Sequence, residues 1–168
     1  EVFNDGCGPG GGNAEALQDW FNLNDLGLKK TLSSGSDSHS EATGVGNVRS
    51  WINVDRDDVT ADHQAIVAPI RARKTFVSCG PFVSFTAGDG TPMGGLTVVH
   101  PRDGNAYFEV RVEAPSWMQI DHIRLLQNGV PVDDIAVADW IRPEGLRSGI
   151  RFEGQMFGTP VADAWYVV

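Results

Sequence analysis

The spacing of hydrophobic and polar positions changes part way along the chain. Leu17, Trp20 and Phe21 recur at helical spacing and share a face with Asn24. That is the stripe of a helix packed on a sheet rather than a cofactor-binding pattern. Asn13 is a good N-cap and Gly27 a good stop, so a helix is predicted over residues 14–26. Residues 1–4 before it and 28–34 after it read as strands. A helix between two strands is a βαβ step, which implies a parallel sheet or an α/β barrel. Residues 48–54 predict another strand. Residues 61–73, capped by Thr60, predict a second helix with Ala65, Ile66, Pro69 and Ile70 on its apolar face and a kink at Pro69.

From Phe82 onward the period is two. Phe108, Val110 and Val112 alternate with Glu109, Arg111 and Glu113. Ile123 and Leu125 alternate with His122 and Arg124, and Ile150 and Phe152 with Arg151 and Glu153. Each run is a strand with one buried and one wet face. Asn128-Gly129 is a strong hairpin signal, and residues 165–168 close the series. About six or seven short strands at this spacing predict an antiparallel, immunoglobulin-like β-sandwich. Cys79-Gly80-Pro81 marks the boundary. The predicted class is therefore α/β plus all-β: residues 1–79 as an α/β domain and residues 80–168 as a β-sandwich. That second part has no cysteine pair to join its sheets, which sets it apart from antibody domains. Trp117, Trp140 and Trp165 are expected in its core or in packing between the domains.

Charge and cysteine content narrow the partners. The 168 residues carry a formal net charge of −9, which argues against a nucleic-acid backbone as partner. No run of about 18 apolar residues exists, so no helical membrane span is expected. Cys7 and Cys79 lack framework spacing; two free thiols is the default reading, with one disulfide as the alternative. The chain starts at Glu1, inside a predicted strand and without a methionine, and ends in another strand. The expectation is a fragment of a longer protein whose open sheet edge invites a homodimer or a missing N-terminal segment.

The candidate chemistry lies in Thr31-Leu32-Ser33-Ser34-Gly35-Ser36-Asp37-Ser38-His39. The stretch begins β-prone and ends in small polar residues, as when a strand delivers side chains to a site at its C-terminal end. Side chains two apart in an extended segment point the same way. Asp37 and His39 therefore converge, and a carboxylate with a neutral imidazole suits zinc, manganese or iron. The same stretch also reads as a solvated loop. Adjacent residues diverge, which disfavours a Ser-His-Asp triad here. The glycine-rich residues 5–12 lack the Lys-Ser/Thr of a P-loop and the dinucleotide fingerprint. Asp55, Asp57 and Asp58 lack the glycine and distal glutamate of a calcium loop. His63, His100 and His122 read as surface histidines without a neighbouring ligand, and Arg49 as a solvated arginine on a strand edge.

The order of these motifs resembles the end of a PHP-domain metallohydrolase, in particular the CehA/McbA-like branch. The resemblance rests on Gly35-Ser36-Asp37-Ser38-His39, then Gly44-Val45-Gly46-Asn47-Val48-Arg49, a helix, and Thr75-Phe76-Val77-Ser78-Cys79-Gly80-Pro81. Upstream, Glu1-Val2-Phe3-Asn4 looks like that family's preceding strand; downstream, Ala114-Pro115-Ser116-Trp117 and Asn128-Gly129 look like its trailing β-rich domain. The resemblance implies an incomplete α/β barrel holding a divalent metal, with hydrolysis of a small-molecule phosphoester, carboxyl ester or carbamate ester. Asp37 and His39 match the family's late Asp-x-His, as metal ligands and catalytic residues. In that family a strand at the position of residues 1–4 delivers polar residues to the metal-site mouth. That makes Glu1 a candidate metal ligand, with a strand-edge carboxylate as the alternative. The departure is that no His-x-His occurs in the chain. The implied reading is a piece of a hydrolase with an incomplete site and weak or absent metal binding. The alternative is a β-sandwich binding module beside a non-catalytic α/β remnant.

Overall fold

The computed structural model describes residues 1–4, 14–42, 44–56, 62–99, 104–137 and 149–168. Asn13, Thr43, Asp57, Asp58, Thr60, His100 and Trp140 lie outside them, as do the glycine-rich residues 5–12. Among the described residues the fold is β-rich, with two helices and ten strands. The chain divides into two compact units: Glu1–Gly80 with Met93–Gly95, and Pro81–Pro92 with Leu96–Val168.

The first unit begins with β1 (Phe3–Asn4), α1 (Ala14–Asp25) and β2 (Ser34–Gly35). β1 and β2 pair in parallel, Phe3 with Ser34 and Asn4 with Gly35, so the helix is the crossover of a βαβ step. Leu17, Trp20, Phe21 and Asn24 are half-buried while Gln18, Asp19 and Asn22 are exposed, as the stripe requires. Gly27 ends the helix at φ 74°. The Leu28 amide donates to Leu23 O at 2.8 Å and the Gly27 amide to Asn24 O at 2.8 Å, which satisfies the last carbonyls in the way a left-handed C-terminal glycine permits.

The strand predicted over 28–34 contracts to Ser34–Gly35, because β1 offers a ladder only two residues long. Immediately upstream Ser33 O still accepts the Val2 amide at 2.9 Å. Farther back side chains take carbonyls instead, Trp20 Nε1 donating to Lys30 O at 2.8 Å and Thr75 Oγ1 to Leu32 O at 3.3 Å. β3 (Arg49–Ile52) pairs antiparallel with β4 (Thr75–Ser78), and Trp51 stacks on Phe76 at 5.8 Å. Ser50 joins β3 to β2. Its Oγ accepts the Ser34 amide at 2.9 Å and donates to Ser34 O at 3.2 Å. α2 (Gln64–Arg71) continues through Pro69. His63 is its N-cap residue, and just before it Asp62 Oδ1 accepts the Gln64 amide at 3.0 Å. Ala65, Ile66, Pro69 and Ile70 are half-buried.

Cys79, just after β4, is disulfide-bonded, which corrects the expectation of two free thiols. Spacing along the chain says nothing about separation in space, so the sequence could not reveal the bond. Cys7 lies outside the described residues.

Among its described residues the second unit holds two three-stranded antiparallel sheets. One has the order β5 (Phe82–Ala87), β6 (Ala106–Glu113), β9 (Ile150–Gly158). The other runs β10 (Tyr166–Val167), β7 (His122–Gln127), β8 (Val130–Ala136). Both feed one apolar core that includes Phe108, Val110, Ile123, Leu125, Phe152 and Met156. Phe108 stacks on Phe85 at 4.9 Å and meets Tyr166 at 4.6 Å. Asn128 at φ 50° and Gly129 at φ 77° make the β7–β8 turn, the left-handed pair that a two-residue hairpin needs.

Two expectations fail in this unit. Arg151 was expected on the wet face of its strand but is 2% exposed. Val112 pairs with Phe152 and Glu113 with Ile150, so Arg151 is the extra residue of a bulge, and the bulge turns it inward. Its Nη2 donates to Pro115 O at 2.6 Å, and its Nη1 has no hydrogen-bond partner. Trp117, expected in packing, is 79% exposed. It follows the Pro115 carbonyl that accepts the Met118 amide at 2.9 Å, so a tight turn carries the indole into solvent. Trp165 is half-buried.

Candidate functional site

Asp37 and His39 follow directly on β2 at the C-terminal side of the parallel step. The chain does not stay extended there, because Asp37 sits at φ 46°, a left-handed conformation that aspartate tolerates better than most residues. The two side chains nevertheless meet, with His39 Nε2 2.6 Å from Asp37 Oδ1. Both are open to solvent, the histidine side chain 81% exposed and the aspartate 44%. An approachable imidazole beside a carboxylate can bind a divalent cation or pass a proton to a neighbouring group.

Glu1 is placed differently. Its Oε1 lies 3.0 Å from the point where a side chain on Gly35 would begin. The carboxylate therefore covers β2, and glycine at 35 leaves it room. Among the described residues, no group of three or more His, Cys, Asp or Glu side chains is gathered closely enough to hold a metal ion. The structure thus brings Asp37 and His39 together and sets the Glu1 carboxylate beside Gly35. The Ser34 hydroxyl, on the same strand, is buried without a hydrogen-bond partner.

One oxygen and one nitrogen donor form a set that zinc, manganese or iron accepts. A catalytic zinc normally takes three protein ligands, so the pair fits part of a centre and does not complete one. Arg49 is exposed, with its guanidinium 6.0 Å from the Trp51 ring. His63 is exposed ahead of α2.

The second unit holds an acid–imidazole pair that sequence reasoning missed. His122 Nδ1 is 2.7 Å from Asp134 Oδ1, and Arg124 Nε donates to Asp134 Oδ2 at 2.9 Å. The arginine and then the histidine lower the Asp134 pKa below its ordinary value by hydrogen bonding. The hairpin at Asn128-Gly129 was the available signal. A bulge between Leu125 and Leu126 shifts the register so that Arg124 faces Asp134, and simple counting from the turn misses it. Among the described residues, no helix is long and apolar enough to cross a membrane. No family model, no curated protein and no solved structure matches the chain.

Proposed function

We propose that this chain is part of a metal-dependent hydrolase of the PHP type. In this reading residues 1–79 are a piece of its α/β barrel and residues 80–168 an immunoglobulin-like β-sandwich that follows it. The observation that supports the reading is the Asp37–His39 pair, 2.6 Å apart directly after a parallel strand. Asp37 would ligate or bridge zinc, manganese or iron, and His39 would ligate it through an imidazole nitrogen. Glu1 would need to swing off Gly35 to join them. Such a metal lowers the pKa of bound water to about 7 and polarises the bond to be cleaved. The substrate class is a small phosphoester, carboxyl ester or carbamate ester, with neither nucleic acid nor membrane as partner. With two donors the chain alone should bind metal weakly and turn over little; a homodimer or an N-terminal segment would supply the remaining ligands. Elemental analysis of the protein equilibrated with excess metal, beside Asp37→Ala treated alike, tests this. Zinc, manganese or iron near one per chain, lost in the variant, supports the site; equal metal in both sinks it.

A second reading makes the β-rich unit a binding module, and the exposure of Trp117 favours it. A flat, solvent-facing indole is the kind of surface on which a sugar face stacks. Titration with a glycan panel, comparing the chain with Trp117→Ala, should then give binding that the variant loses. No binding by the unaltered chain removes that reading.

A further inference from the structure

We infer that the disulfide at Cys79 holds the first unit together, so that this unit keeps its structure only under oxidising conditions. Two independent observations carry the inference. Cys79 is disulfide-bonded directly after β4, and the chain contains one other cysteine. The described part of the first unit also buries few hydrophobic side chains: Val2 and Val48 are the buried ones, and neither α1 nor α2 contributes one. Thr75 and Ser78, the other buried side chains there, are hydroxyls, while Leu26, Leu28 and Val45 face solvent. A unit of roughly 80 residues whose described part buries so few hydrophobic side chains lies where a cross-link decides whether it folds.

The second unit is an internal control. Residues 81–168 contain no cysteine, and their core includes Phe108, Leu125, Phe152 and Met156, each almost completely buried. Reduction should therefore loosen one unit and spare the other. Thiol pools of reducing compartments cleave unprotected disulfides, while secretory, periplasmic and extracellular conditions preserve them. The chain is accordingly suited to an oxidising compartment. The inference does not depend on metal binding at Asp37 and His39.

The test is hydrogen exchange of the whole chain before and after dithiothreitol, which breaks the S–S bond to two thiols and is itself oxidised to a cyclic disulfide. Amides of β3 and β4 should exchange about tenfold faster or more once the bond is reduced, and those of β6 and β9 should hold their rates. Cys79→Ser without reductant should reproduce the pattern. In mass spectrometry the non-reduced chain should run as a monomer lighter by two hydrogens than the reduced one. Unchanged β3 and β4 exchange after reduction, equal acceleration in β6 and β9, or two free thiols in oxidatively produced protein would each overturn the inference. A Cys79→Ser chain that unfolds in both units counts against it as well, because the second unit should stand without the bond.

Discussion

Replacing His39 by alanine separates the cost of losing a surface contact from the loss of a ligand. The imidazole touches the Asp37 carboxylate at 2.6 Å, but the two side chains are 81% and 44% exposed. Water and salt screen such a pair, so its contribution to stability is about 0.5 kcal/mol at most. For a unit of about 80 residues that corresponds to a melting shift of roughly 2–4 °C. Metal binding at the proposed site would have a larger effect. A ligand at about ten times its dissociation constant stabilises the folded state by about 1.4 kcal/mol, or roughly 6–11 °C on the same scale.

Thermal unfolding with and without zinc, followed by chelator, therefore gives four distinguishable curves. Metal-free protein and metal-free His39→Ala should melt within a few degrees of each other. Zinc should raise the melting temperature of the unaltered chain and leave that of the variant in place, and chelator should reverse the rise. Asp37→Ala should behave like His39→Ala. An equal zinc-dependent rise in His39→Ala would place the binding elsewhere and refute the assignment. A chain indifferent to millimolar zinc would refute the premise that these two donors bind metal at all.

Other consequences follow from the same structure. Leu125 is 0% exposed, so Leu125→Ala should cost about 3–5 kcal/mol and lower the urea midpoint of the second unit by about 1–5 M; a drop smaller than about 0.5 M would mean that the core is looser than its burial shows. Gly94 has φ 81°, and a side chain there would meet Arg73 O at 2.6 Å, a contact with backbone that cannot yield cheaply. Gly94→Ala should therefore speed hydrogen exchange at the end of α2, and unchanged exchange would refute the contact. Asp134 has its folded pKa held below the unfolded 3.8 by Arg124 and His122. Its contribution is present above that value and disappears as pH falls through the lower folded pKa. Asp134→Asn should accordingly flatten the acid limb of the stability curve, and an unchanged limb would contradict the pairing.

The most legible parts of the sequence were those where burial has a strict period. In β6, Ala106, Phe108, Val110 and Val112 are buried as alternation required, because one face of that strand meets a core and the other meets water. The same rule failed two strands' length away at Arg151, because a bulge adds one residue and inverts the faces without leaving any trace in composition. It failed for Trp117 because hydrophobicity ranks a residue's tendency to be buried, whereas a tight turn fixes where that residue points. The shortening of the second strand to Ser34–Gly35 was likewise invisible, since it is set by the length of β1 rather than by anything within residues 28–34. The Asp37–His39 approach was read from extended-chain geometry. The two side chains meet, but through a left-handed Asp37.

The first unit shows why a correct pattern can still leave the structure underdetermined. Both of its helices carry a proper apolar stripe, yet Leu17, Phe21, Ile66 and Ile70 end half-buried. A stripe specifies which face turns inward; it does not specify how much material lies on the other side. Where that material is thin, a covalent link or a bound ion can decide whether the arrangement persists, and here one candidate of each kind is present. They can be told apart because they act on different groups. In the oxidised chain a zinc effect should disappear in His39→Ala; in the reduced chain the freed thiols are themselves zinc ligands, so the same comparison with His39→Ala decides there too. Reductant should loosen β3 and β4 in the complete absence of metal. If zinc restores slow exchange to the reduced chain but not to reduced His39→Ala, the proposed ion and the disulfide stabilise the same folded unit. If zinc binds the oxidised chain and does nothing for the reduced one, His39 and Asp37 meet only when the disulfide has already fixed the unit around them.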